Sequence, residues 1–84
     1  MSQWREEGGA LRRELEFTDF AQAFAAVTHI AEIAERLDHH PDIEISYNRV
    51  ELRCTSHDVG RKVTARDHRL AKEIDVMLSE FVDE

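Results

Sequence analysis

The sequence contains a single cysteine, Cys54, and a single proline, Pro41. One cysteine excludes an internal disulfide, and its place in a strand-like segment predicts a small core residue rather than a nucleophile. A long apolar run is also missing, because the most apolar stretch, residues 21–34, is interrupted by polar side chains such as His29 and Glu32. Such a stretch is too polar to span a membrane. The N-terminus is polar and lacks the apolar segment of a signal peptide, so we expect a cytoplasmic protein.

Clustered positive charge is lacking as well. The formal net charge is −7 at pH 7, from 11 Lys and Arg against 18 Asp and Glu. Binding to nucleic acid requires clustered Lys and Arg to neutralise phosphates, so no nucleic-acid partner is expected.

The 84 residues show no repeat, low-complexity tract or linker, and they suit one domain over residues 1–84. A domain of this size has a thin core, and an open sheet edge is seldom left unprotected. Both points predict association, most simply as a homodimer, with a tetramer as the alternative.

The hydrophobic pattern predicts an α+β fold: an antiparallel β-sheet with α-helices packed on one face. Gly8-Gly9 indicate a turn before the first strand, and Asn48-Arg49 indicate the turn of a later hairpin. The elements, in order, are a strand over residues 10–17, a helix over 19–37, hairpin strands around 43–47 and 50–54, and a helix over 65–82.

Both helices have recognisable starts. Thr18-Asp19 can cap the first helix, and Thr64 with Asp67 three residues later forms a capping-box arrangement at the second. Pro41 cannot continue a helix, so the first helix ends at or before His39 and His40. Its apolar stripe is predicted from three- and four-residue steps, and the second helix has its own. The two stripes are Phe20, Phe24, Val27, Ala31 and Ala34, and Leu70, Ile74, Met77, Leu78 and Phe81.

The candidate site begins with His39-His40-Pro41. Glu35 is four residues before His39, so the two side chains are expected to share one face of the last helical turn. A nearby carboxylate and the helix C-terminus both favour a protonated imidazole, which would suit a general acid. The alternative is that both histidines are polar residues that close the helix.

His57 and Asp67 extend the site. The hairpin returns the chain to its starting end, so His57 can approach the histidine pair. Asp67 is either the acid of a helix cap or a side chain directed toward the same site. Three histidines and a carboxylate could also bind zinc, but adjacent histidines diverge and no pair has the four-residue helical spacing of a zinc protease, so no metal is expected. His29, Trp4 and Tyr47 are interpreted as packing residues.

The spaced set resembles the pterin-4a-carbinolamine dehydratase family. It consists of Glu35, three residues, His39-His40-Pro41, five residues, Tyr47, nine residues, His57, and then Asp67. Similarity also covers Phe17-Thr18-Asp19-Phe20, Ala31-Glu32, Tyr47-Asn48-Arg49-Val50, and Leu70-Ala71 through Ile74-Asp75, which is nearly the whole chain.

The resemblance implies dehydration of a 4a-hydroxytetrahydropterin to the quinonoid dihydropterin, a step of tetrahydrobiopterin biosynthesis, with no metal or cofactor. It assigns His39 and His57 as the acid–base pair and His40 as a residue that holds the pterin. Of that pair, the helix-end argument favours His39 as the acid. The remaining residues expected at the substrate are Glu35, Pro41, Ser56 and Asp67.

Two features leave an alternative open. Nine residues separate His57 from Asp67, where eight is usual in the family, and a single glycine, Gly60, lies between them. Some members of the family serve as dimerisation partners of a transcription factor, and a related fold acts as an assembly factor. The alternative function is therefore a non-catalytic interaction module, which would have no need of all three histidines.

Overall fold

The computed structural model describes residues 3–56, 60 and 62–81. Four strands and two helices follow one another in the order β1, β2, α1, β3, β4, α2. Their bounds are Arg5–Glu7, Ala10–Glu16, Phe20–Leu37, Asp42–Ser46, Arg49–Cys54 and Ala65–Phe81. No helix in this part of the chain is long and apolar enough to cross a membrane.

The strands form one antiparallel sheet in the order β1-β2-β4-β3. Leu11 pairs with Cys54 and Leu15 with Val50, so these apolar side chains share the face that the helices cover. The opposite face is polar, with ion pairs such as Arg12 to Glu51 at 2.8 Å. The predicted α+β fold is thus confirmed.

The N-terminal segment and α2 are joined by a polar contact inside this arrangement. Arg13 lies on the helix-covered face of β2 and donates to Asp75 of α2 over 2.5 Å. The Trp4 indole N–H donates to the same Asp75 oxygen over 2.8 Å. Trp4 is also packed, partly buried, against the hydrophobic core, as predicted. The ion pair with Asp75 explains why Arg13 lies among apolar residues in the sequence.

The buried face of α1 differs from the predicted stripe. Phe20 and Phe24 are 48% and 56% exposed, with their rings stacked 6.0 Å apart, and Ala31 is exposed. The face toward the sheet and α2 consists of Ala23, Ala26, Ile30, Ile33 and Ala34. Small alanine side chains let the backbone of α1 approach the sheet and α2 closely, so the bulky phenylalanines remain on the solvent side.

The turns contain two departures from expectation. β1 was not predicted, because three charged, exposed residues show no apolar alternation; the predicted Gly8-Gly9 turn joins it to β2. The hairpin turn is Tyr47-Asn48 rather than Asn48-Arg49. Tyr47 has the positive φ, 53°, and is 66% exposed, so its interpretation as a packing residue is wrong. Asn48 instead ties the turn to β2 by donating to the Phe17 carbonyl over 2.9 Å.

At the helix starts the cap predicted at Asp19 is confirmed, and the capping box predicted for Thr64 and Asp67 is confirmed in its Asp67 half. Asp19 accepts the Gln22 N–H over 2.9 Å at the start of α1, and Asp67 accepts the Thr64 N–H over 2.9 Å at the start of α2. Helix α1 ends at Leu37 because Asp38 adopts a left-handed conformation, with φ of 54°. That turn sets the directions of the two histidines that follow.

Candidate active site

His39 leaves the end of α1 and reaches the start of α2. Its backbone N–H donates to the Ala34 carbonyl over 3.1 Å, which holds the residue in the helix-ending turn. Its side chain is only 11% exposed, and Nε2 lies 2.6 Å from Oδ1 of Asp67. The αL conformation of Asp38 thus allows His39, at the end of α1, to contact the carboxylate of Asp67, at the start of α2.

Asp67 is the centre of a buried hydrogen-bond network and has no exposed surface. Its Oδ2 accepts the Ser56 hydroxyl at 2.8 Å and the Thr64 N–H at 2.9 Å, while Oδ1 accepts from His39. The hydroxyls of Ser56 and Thr64 are themselves 2.7 Å apart. Both carboxylate oxygens are therefore satisfied by fixed donors.

These contacts keep Asp67 ionised. Burial alone would raise its pKa, but the hydrogen bonds from His39, the Thr64 N–H and Ser56 outweigh burial and lower the pKa below the ordinary value of 3.8. A carboxylate can only accept, so His39 Nε2 carries the proton in this pair.

This geometry bears on the predicted substrate contacts of Asp67 and Ser56. Ser56 is fully buried, like Asp67, and the polar atoms of both side chains already have hydrogen-bond partners. Asp67 is both the acid of the helix cap and the partner of His39, so the geometry favours a role in orienting that histidine over holding a substrate directly. The sequence predicts Thr64 only as a helix cap. The capping-box spacing of Thr64 and Asp67 is the sequence feature that indicates their contact.

Glu35 pairs with His40 and not with His39, which corrects the expected arrangement. His40 Nε2 lies 2.6 Å from Glu35 Oε2, and both side chains are exposed. Residues four apart share a face only while the helix continues, and the left-handed turn at Asp38 ends it, directs His39 inward and leaves His40 beside the helix end. Pro41 follows, half-buried, at the entry to β3.

His57 lies outside the described residues, so the expected meeting of three histidines stays a prediction. It follows Ser56 directly in the sequence, and the backbone N–H of Ser56 donates to the Lys62 carbonyl over 3.0 Å. Within residues 3–56, 60 and 62–81, no group of three or more His, Cys, Asp or Glu side chains is placed to hold a metal ion.

Cys54 is a buried core residue near this network, as the sequence predicted. Burial raises the pKa of its thiol to about 12, and the negative charge of Asp67 adds to the effect. We expect iodoacetamide at pH 8 to modify native Cys54 at least about 10²-fold more slowly than the urea-unfolded chain, as followed by mass spectrometry. Equal rates in both states would contradict a buried, protonated thiol.

Comparison with known proteins places the chain in a family. The family model described as pterin 4 alpha carbinolamine dehydratase matches residues 1–77. The chain belongs to the pterin-4a-carbinolamine dehydratase family. Two relatives are named as proposed pterin-4-alpha-carbinolamine dehydratases. The Acidobacterium capsulatum protein is 45% identical over 89% of this chain and 80% of its own length. The Thermomicrobium roseum protein is 46% identical over 84% and 75%.

Solved structures of the dehydratase family share this fold. The transcriptional coactivator/pterin dehydratase from Brucella melitensis superposes with a TM-score of 0.83 at 32% identity, covering 89% of this chain and 81% of that one. A pterin dehydratase-like protein identified as a RuBisCO assembly factor in the alpha-carboxysome gives 0.73 at 23% identity, covering 89% and 88%. The second likeness concerns the fold alone.

Proposed function

We propose that this chain dehydrates a 4a-hydroxytetrahydropterin to the quinonoid dihydropterin, acting as a lyase on a free pterin. The observation that carries the proposal is the contact of His39 with the buried carboxylate of Asp67, in a chain that belongs to the dehydratase family. A histidine fixed in this way is suited to proton transfer, because the carboxylate sets the orientation of its ring and the nitrogen that donates to it.

The reaction needs two proton transfers and no redox step. The C4a–O bond breaks and the oxygen leaves as water with a proton from an acid, while a ring nitrogen gives its proton to a base and forms the C=N bond. Each positioned group supplies about 10²–10⁴-fold in rate. His39 and His57 are proposed as the acid–base pair, and exposed His40 and Glu35, with Pro41, as residues that hold the pterin.

The test is an assay on synthetic 4a-hydroxytetrahydropterin, followed by the absorbance change as the quinonoid product forms. Purified protein is expected to accelerate dehydration in proportion to its concentration, above the spontaneous rate in the same buffer. A rate that does not change with protein concentration, for protein shown to be folded, would refute the proposal.

A second candidate function is a non-catalytic interaction module that dimerises or binds another protein. It is favoured by the exposed, stacked pair Phe20 and Phe24 and by exposed Tyr47, since aromatic side chains are enriched at protein interfaces. We also propose that the active protein is a homodimer. The dehydration assay separates the two functions, because a pure interaction module does not change the rate.

A further inference from the structure

We propose that Asp67 fixes neutral His39 in the Nε2–H tautomer, so that His39 acts as the base of the reaction through Nδ1. The inference rests on the proposed function in one respect, namely that the proton accepted by His39 comes from a ring nitrogen of the pterin. It reverses the assignment of His39 as the acid, which was based on the end of the helix and on an expected contact with Glu35, a contact that the structure gives to His40.

The tautomer follows from what surrounds the two ring nitrogens. Nε2 faces a carboxylate oxygen at 2.6 Å, and a carboxylate offers no proton, so Nε2 must be the donor. Nδ1 has no hydrogen-bond partner in the described part of the chain and is not among its enclosed unpaired polar atoms. Nδ1 of the neutral ring therefore carries a lone pair that no described group uses and that is not fully enclosed.

Asp67 can impose this arrangement because it cannot turn away. The Thr64 N–H and the Ser56 hydroxyl hold Oδ2, which leaves Oδ1 directed at His39. When Nδ1 accepts the proton of a ring nitrogen on the substrate, the ring becomes an imidazolium that donates from both nitrogens. The negative charge of Asp67 stabilises that cation, which makes Asp67 a positioning residue that acts through His39.

The variant Asp67→Asn should invert the tautomer without changing the shape of the side chain. The backbone N–H of Thr64 is always a donor, so the single oxygen of Asn should take the place of Oδ2 and accept from it. The amide NH₂ then faces His39 Nε2, which must accept. The proton of the neutral ring is forced onto Nδ1, and no lone pair is left for the substrate.

The experiment is ¹⁵N NMR of protein labelled at histidine, without substrate, at an alkaline pH where the spectrum shows neutral imidazole rings. The signals of His39 are identified by their absence in His39→Ala. Wild type is expected to show a protonated Nε2 and a bare Nδ1, Asp67→Asn the reverse, and Glu35→Gln the wild-type pattern for His39. Glu35→Gln is the matched control, because it makes the same acid-to-amide change beside His40. An Nδ1–H tautomer in wild type, or no change in Asp67→Asn, would overturn the inference.

The assay then tests the role as base. Folded Asp67→Asn is expected to lose at least about 10²-fold in kcat for 4a-hydroxytetrahydropterin with little change in KM. A wild-type kcat in this variant would overturn the assignment of His39 as base even if the tautomer is correct. No activity in wild type would instead refute both the proposed function and the role of His39 as base. The tautomer of His39 would still be decided by the NMR spectra alone. If Asp67→Asn does not fold, the wild-type spectrum still decides the tautomer.

Discussion

The variant His39→Ala is expected to lose at least about 10²-fold in kcat for dehydration of 4a-hydroxytetrahydropterin. The reason is that His39 is the histidine held by a buried carboxylate, at 2.6 Å from Asp67, and alanine has no group that can transfer a proton. The initial rate at saturating substrate, with a circular dichroism spectrum to confirm folding, measures the effect.

Two further histidine variants make this result specific. His68→Ala removes an exposed histidine from α2 beside Asp67 and is expected to keep the wild-type kcat. His40→Ala is expected mainly to raise KM, because His40 is exposed and paired with Glu35 rather than with the buried network. Equal kcat in His39→Ala and His68→Ala would refute the role of His39.

The variant Asp67→Ala is expected to lower the free energy of unfolding by about 3 kcal/mol at pH 7. Alanine leaves the His39 Nε2–H, the Ser56 hydroxyl and the Thr64 N–H without their acceptor, and it removes the capping interaction of α2. Urea unfolding followed by circular dichroism gives this difference. A loss below about 1 kcal/mol would mean that the network does not hold the two helix ends together.

The control is Glu80→Ala, an exposed position on the same helix, which should change stability by no more than about 0.5 kcal/mol.

The effect of Asp67→Ala should also depend on pH. The native pKa of Asp67 is depressed, so its contribution is complete above the ordinary value of 3.8 and is lost as the pH falls through the lower native value. The difference between wild type and Asp67→Ala is therefore expected to shrink at acidic pH.

Local sequence features predicted most of the fold. Helix starts at Asp19 and Thr64 were identified because capping residues act over three positions, and strands around Leu11 and Leu52 because alternation is a local pattern. The three-residue strand β1 was missed because its charged side chains carry no alternation and its pairing with β2 is set by the Gly8-Gly9 turn. The exposed side of α1 was misassigned because this helix has apolar residues on both faces.

The sequence predicts His39 and Asp67 as candidate residues, but it does not predict the contact between them. His39 and Asp67 were both selected, yet their bond joins residues 28 positions apart and depends on how two helix ends meet. Glu35 was matched to His39 because regular helical spacing was assumed, and a single left-handed residue, Asp38, changed the partner to His40. A sequence pattern identifies candidate residues, but it does not give the backbone dihedral angles that decide which of them are in contact.

The role of His39 is tested most directly by a crystal structure of the protein with bound 7,8-dihydropterin, a stable analogue of the product. We expect the pterin ring to lie beside His39, with one of its polar ring atoms about 2.6–3.2 Å from His39 Nδ1, and the bond from Nε2 to Asp67 to be retained. A pterin bound elsewhere, such as at the polar face of the sheet near Glu14 and Glu51, or a ring in contact with Nε2, would contradict it.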